Sequence, residues 1–247
     1  MIRSLRWILA GTVAGTGLIL LGCSSSSPPA PSTPPKVEQP FQATQVGAYL
    51  ARDYYFPSSA TMRAVYSFTA TTQLPSQNFA TSGRMTVEVV SYSPTRAVLR
   101  STVTTTGQNA RTDTNTTTVR VEPDGTVVAE DGGSVRHSNA VFTAAGDMVA
   151  PASGSEIPEI RARMVGTEAV TVPAGTYQTV HLQEGPAVQG ATPTDIWLAR
   201  GVGIVRQHAD ETFTIPAGQG QGQGPQQTQQ AQQGRSVYDM RLESFTP

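Results

Sequence analysis

RMTVEVVSYSPTRAVLRSTVTTT, residues 84–106, decides the fold. Met85, Val87 and Val89 alternate with Thr86 and Glu88, the period of two that sets one row of side chains on a buried face and the next in water. Ser93, Pro94 and Thr95 interrupt the run and Ala97 to Thr106 resumes it, so the segment reads as an antiparallel hairpin. Outward from it the pattern recurs in Arg63 to Thr72, Thr114 to Glu122 and Thr126 to Glu130. Pro123, Asp124 and Gly125 join the last two, with Gly125 free to take a positive φ. The connections at Gly132 with Gly133 and at Ala144 to Gly154 are longer and carry no ligand-like cluster. Roughly nine to eleven strands at short spacing, with few places for crossover helices, imply an antiparallel meander. The expected fold is mainly β: a single curved antiparallel meander sheet, half-barrel or barrel-like, with one or two short helices. Phe41 to Phe56 is the candidate helix, bringing Val46, Tyr49, Leu50, Asp53 and Tyr54 near one another, with Pro57 as its stop.

Composition supports a sheet with its own core. Of 247 residues 38% are hydrophobic and only 14% charged, against about 25% charged in ordinary domains. Much of the neutral polar remainder is Thr, a strand former. With 17 basic and 18 acidic groups the net charge is -1, which disfavours a basic nucleic-acid binder. Gly218 to Gly234 alternates Gly and Gln before a run of glutamines, and its lack of apolar residues implies a disordered loop over residues 217–234. It falls between Phe213 to Pro216 and a last strand, Ser236 to Phe245, as an expanded hairpin loop whose length costs little closure entropy.

The first residues carry a different message. Arg3 and Arg6 form a positive region, Trp7 to Leu21 is a short apolar run, and Leu20, Leu21, Gly22 and Cys23 close it. The run is short for a membrane span of about 20 residues. It resembles the bacterial lipoprotein signal, in which a peptide such as 1–22 is cut between Gly22 and Cys23 and the Cys is acylated. Cys23 is the only cysteine, so one molecule can form no internal disulfide. The resemblance implies a membrane partner engaged through lipidated Cys23, with about 0.8 kcal/mol gained per buried acyl CH₂. Residues 23–40 then hold the acylated Cys and a Pro/Ser-rich disordered tether, up to ~50 Å long in polyproline form, leaving 41–247 as a single β-rich domain. Ser24, and not Asp, follows the Cys, which resembles an outer-membrane address on the periplasmic side.

Two motifs lie in the second half. Glu168 to Leu182 reads EAVTVPAGTYQTVHL and Trp197 to Val205 reads WLARGVGIV. With Asp53 to Pro57, DYYFP, they resemble uncharacterised secreted and lipid-anchored bacterial envelope proteins. These are similar in outline to the lipoprotein-localisation and lipid-carrier half-barrels, which fold a curved sheet over one or more helices. Read from the residues, the motifs are turns: Pro173 presets φ and Gly175 takes a left-handed position, while Gly201 and Gly203 bracket Val202 and turn Ile196 to Ala199 back into Ile204 to Gln207. Trp197 is expected as a core plug.

No catalytic constellation is present in the sequence. His137, His181 and His208 are the only imidazoles, far apart and without a cysteine to assist, so no metal site is expected, although His181 and His208 could share the sheet. The G-x-S-x-G, S-x-x-K and H-E-x-x-H patterns do not occur. The only lysine is Lys36, and carboxylates such as Glu122, Glu168, Glu184, Asp195 and Asp210 are too scattered to single out a pair. The expectation is a non-enzyme without cofactor, binding or carrying an apolar ligand, a lipid or acylated partner, on a face lined by Met85, Val87, Val89, Val180, Leu182 and Trp197. The alternative is a structural or protein-interaction lipoprotein with a filled core.

Overall fold

A computed structural model of the chain describes residues 49–107, 110–130, 134–138, 148–150, 160–186, 192–215 and 232–247. Gly22, Cys23, the tether and most of the Gly/Gln-rich stretch lie outside the described residues. Among the described residues one short helix, α1 (Ala51–Tyr55), precedes twelve strands: β1 (Arg63–Leu74), β2 (Gln77–Ser93), β3 (Arg96–Thr105), β4 (Thr112–Val121), β5 (Val127–Glu130), β6 (Ser134–His137), β7 (Met148–Ala150), β8 (Ile160–Val172), β9 (Gly175–Pro186), β10 (Thr194–Ala199), β11 (Gly203–Ile215) and β12 (Gln232–Thr246). They form one curved, open antiparallel sheet, in the order β6-β5-β4-β3-β2-β1-β12-β11-β10-β9-β8-β7.

The turns expected after Ser93 and after Pro123 are in place, whereas the connection expected over Ala144 to Gly154 holds strand β7 at Met148–Ala150, and Gly132 and Gly133 lie outside the described residues. Ser93 Oγ accepts the Arg96 N–H at 3.1 Å and donates to the Arg96 carbonyl at 2.9 Å, closing β2 onto β3. In the β4–β5 turn Asp124 Oδ1 accepts the Thr126 N–H at 2.9 Å, and Gly125 has a φ of 85°. Gly175, Gly201 and Gly203 all have positive φ, at 134°, 71° and 88°.

Element lengths depart from the sequence pattern in three places. The helix is confined to Ala51–Tyr55 among the described residues, because Pro57 forces Phe56 into extended backbone, φ -108° and ψ 138°. β2 begins at Gln77 and not near Arg84, and the added hairpin end is mostly exposed, so it needs no apolar alternation. β12 begins at Gln232, where Gln232 pairs with Ile215, so backbone pairing extends into residues whose composition reads as loop.

The order of strands explains the curvature. β1 to β6 form one meander and β7 to β12 another, joined where β1 pairs with β12, Phe68 opposite Met240. The two free edges, β6 and β7, are therefore consecutive in the chain. Flat, twelve strands spaced about 4.8 Å apart would set those edges roughly 50 Å from each other. Residues 138–147 reach at most roughly 38 Å when fully extended, so a flat sheet cannot be connected, and β6 and β7 do approach one another.

The curved sheet packs on its own concave side in two clusters. One gathers Tyr66, Phe68, Met85, Tyr238, Met240 and Leu242 under the β8–β9 turn, where the Ala174 N–H donates to the Leu242 carbonyl at 3.1 Å. The other surrounds α1: Ala51, Tyr54 and Phe56 lie between Ala97, Val119 and Val127 of β3 to β5 and Val180, Leu182, Ile196 and Leu198 of β9 and β10.

Candidate functional site

The concave side under α1 is where the two flanks of the sheet face each other with one turn of helix between them. Period two along β9 points Val180, Leu182 and Glu184 inward together, and the register sets Leu182 opposite Ile196 and Val180 opposite Leu198. Val180 and Leu182 are fully buried. α1 covers them with Ala51 and Tyr54, together with Phe56 just after it, and is tied down through Asp53. The Gly201 N–H donates to the Asp53 carbonyl at 2.7 Å, and the Arg200 guanidinium pairs with the Asp53 carboxylate at 3.0 Å. Gly203 lies against the helix, where a Cβ would make an ordinary contact with the Tyr54 carbonyl oxygen at 3.6 Å; it is its φ of 88° that favours glycine. Burial pushes the Tyr54 hydroxyl up to about 12.

Beside this apolar cradle lies a half-buried polar trio. Tyr55 of α1 stacks on His137 at the end of β6, ring centroids 3.8 Å apart and 12° from parallel. Its hydroxyl donates to Glu184 Oε1 of β9 at 2.9 Å. Desolvation raises the Glu184 carboxyl above the usual carboxylate range, with the Tyr55 hydrogen bond pulling the other way. Desolvation also pushes His137 down to about 4. Both groups are thus biased toward their uncharged forms. The trio joins β6, one free edge of the sheet, to β9 on the opposite flank.

The residues expected to line a ligand face divide among three places. Val180 and Leu182 belong to the cradle under α1. Met85 is fully buried in the other cluster, with Val87 packed against it and Val89 half-buried further along the same strand face. Trp197 is on the wrong face for either. It pairs with His181, not Leu182, so it points to the convex side, and the expectation of a core plug is corrected by the pleat itself.

On that convex side Trp197 is held by polar neighbours. His181 stacks on it at 4.5 Å and the Arg206 guanidinium lies 5.0 Å from its ring centroid. Its Nε1–H donates to Glu168 Oε1 at 2.7 Å. His181 bridges Asp195 Oδ1 at 2.8 Å and Glu168 Oε1 at 3.2 Å, and Arg206 pairs with Asp239 at 3.0 Å. His208 shares this face, with Nδ1 3.7 Å from Asp239 Oδ1. Among the described residues no three His, Cys, Asp or Glu side chains converge as metal ligands. Pro173 and Gly201 lie in turns, and Gly175 and Gly203 are the first residues of β9 and β11.

Sequence reasoning missed the trio. One signal was available: Glu184 continues the Val180, Leu182 alternation and so must face inward. His137 carried none, because the edge strand β6 is too short to show a period, and Tyr55 carried none, because a single helical turn shows no period either.

No protein family matches the sequence, and no curated protein matches it either. Among solved structures, a candidate lipoprotein from Parabacteroides distasonis is similar at 12% identity over 78% of this chain and 99% of that one, with a TM-score of 0.41. A candidate outer membrane lipoprotein-sorting protein domain from Vibrio parahaemolyticus is similar at 10% identity over 77% and 86% of the respective chains, with a TM-score of 0.19. Similarity this low speaks to neither ligand nor partner.

Proposed function

We propose that the protein is a lipid-anchored bacterial envelope protein, attached through Cys23, whose curved sheet binds or carries an apolar ligand on its concave side. One observation carries the reading. A sheet normally buries its apolar face under a second layer, and here the cradle of Val180, Leu182, Ile196 and Leu198 is covered among the described residues by a five-residue helix and by Ala97, Val119 and Val127 of the sheet's own opposite flank, with no separate layer of helices or strands. An acyl chain taking that place would gain about 0.8 kcal/mol for each methylene removed from water, so eight to ten methylenes could offset the association cost. The polar trio at the side of the cradle would face the polar end of such a ligand. Extraction of the purified protein into organic solvent, followed by mass spectrometry, should return a stoichiometric lipid. Absence of lipid, together with no saturable binding of a fluorescent fatty acid, overturns the reading.

A second reading rests on Trp197. A convex-side tryptophan between His181 and Arg206 is the residue combination that anchors protein interfaces, and it suits an interaction lipoprotein with a filled core. Capture of a specific envelope protein that is lost in Trp197→Ala, with no lipid found, favours it. In either case no catalytic role is proposed.

A further inference from the structure

The arrangement around α1 shows how the cradle is closed. α1 has five residues and no side-chain N-cap, and so short a helix holds no fold of its own in water. What keeps it in place is tertiary. Asp53 fixes it to the Arg200–Gly201 turn, and Tyr55 reaches both flanks of the open sheet, stacking on His137 and donating to Glu184. Among the described residues no backbone ladder joins β6 to β7, and this side-chain bridge ties the β6 edge to β9 across the concave side. Tyr49 and Leu50 lead directly into α1, and Leu50 is exposed.

We infer that α1 is a displaceable plug, latched between the two flanks of the sheet by Tyr55, and that its withdrawal uncovers the cradle formed by Val180, Leu182, Ile196 and Leu198. The inference rests on the apolar-ligand reading for its purpose, but the latch is a physical claim that stands or falls separately. Released, the plug takes Ala51, Tyr54 and Phe56 with it and leaves an apolar trough with Glu184 on the same face of β9. The stack and the hydrogen bond both end at one side chain, so a single substitution removes the bridge while leaving the strands paired.

Hydrogen exchange on the full-length protein tests this, with the amides of β1 and β12 as internal reference. Tyr55→Ala should speed exchange at Asp53 and Phe56 by about tenfold or more, as loss of a hydrogen bond and its packing implies, while β1 and β12 keep their protection. Tyr55→Phe, which keeps the stack and loses only the hydroxyl, should fall between. Unchanged protection of α1 in Tyr55→Ala overturns the latch. So does a parallel rise in β1 and β12, which would mean general destabilisation. A fluorescent fatty acid supplies the second readout: tighter binding by Tyr55→Ala supports both claims. Faster exchange in α1 with no fatty-acid binding by any variant keeps the latch and sinks the ligand reading.

Discussion

Glu184 stands two residues beyond Leu182 on β9, and the strand pleat gives it no choice but to face the interior. That placement was legible from alternation, whereas its partners were not, because contact between Tyr55, His137 and Glu184 depends on how far the sheet curls. A pH effect follows from His137. The unfolded chain takes up its proton near 6.5 and the folded chain near 4, so between those values the unfolded state binds more protons and stability falls as the pH drops from 6.5 to 4. Allowing for partial exposure, the loss should be roughly 1–3 kcal/mol. Glu184 acts with the opposite sign, since its raised pKa makes the fold lose stability as pH rises through its titration. His137→Phe keeps a ring against Tyr55, and subtracting its denaturation curves from the wild type isolates the histidine. A difference that stays flat between pH 6.5 and 4 would show that His137 is not buried neutral. At the β8–β9 turn, Gly175→Val should cost roughly 1–3 kcal/mol for a different reason. A Cβ there meets nothing nearer than Tyr177 Cε2 at 3.9 Å, so space is ample, but φ is 134°. Chemical denaturation measures it, and a neutral result would put the positive φ in error.

Strands with one buried face were readable from the sequence, and strands with none were not. β2 over Met85 to Val89 announces itself, while its first residues, Gln77 to Gly83, lie on a hairpin end that is mostly in water and shows no period. The edge strands β6 and β7 are four and three residues long, below the length at which alternation can be counted. Trp197 failed for a further reason: apolar size suggested the core, but its neighbours Ile196 and Leu198 already held the inward positions. Two glycines show what the long central strands need. A Cβ on Gly83 would lie 2.3 Å from the Thr104 carbonyl oxygen and 2.6 Å from Phe68 Cζ. Backbone cannot step aside as a side chain can, so Gly83→Ala should destabilise by about 2 kcal/mol or more, in the range of core overpacking. Gly234 is also crowded, with Phe213 Cζ at 2.5 Å and Leu74 Cδ2 at 2.9 Å, but those are the ends of side chains, which can turn aside. Gly234→Ala should therefore cost less than Gly83→Ala in the same urea titration. The reverse order would mean that the surroundings of Gly234, not the middle of β2, are the tightly packed region.

The whole molecule is governed by one topological fact: consecutive strands β6 and β7 occupy opposite edges of a twelve-stranded sheet. Residues 138–147 are too few to span a flat sheet, so curvature is required by connectivity, while packing around α1 and Tyr55 holds the flanks together. Which of the two maintains the curved state after folding is open to experiment. The apolar clusters on the concave side bury Leu182, Leu198, Met240 and Leu242 almost completely, and each side chain so buried contributes about 1.5–3 kcal/mol. A connecting loop contributes far less, because doubling its length changes closure entropy by only about 0.6 kcal/mol. Lengthening the link should therefore leave the curvature intact. With about twenty Gly and Ser residues inserted after Gly146, chain entropy gives an expected loss of about 1 kcal/mol or less. The exchange rates of Asp53 and Phe56 in α1 should not change. A loss of several kcal/mol, or exposure of α1 without any change at Tyr55, would show that the short link itself strains the sheet into its curve, and that side-chain packing merely fills the space it encloses.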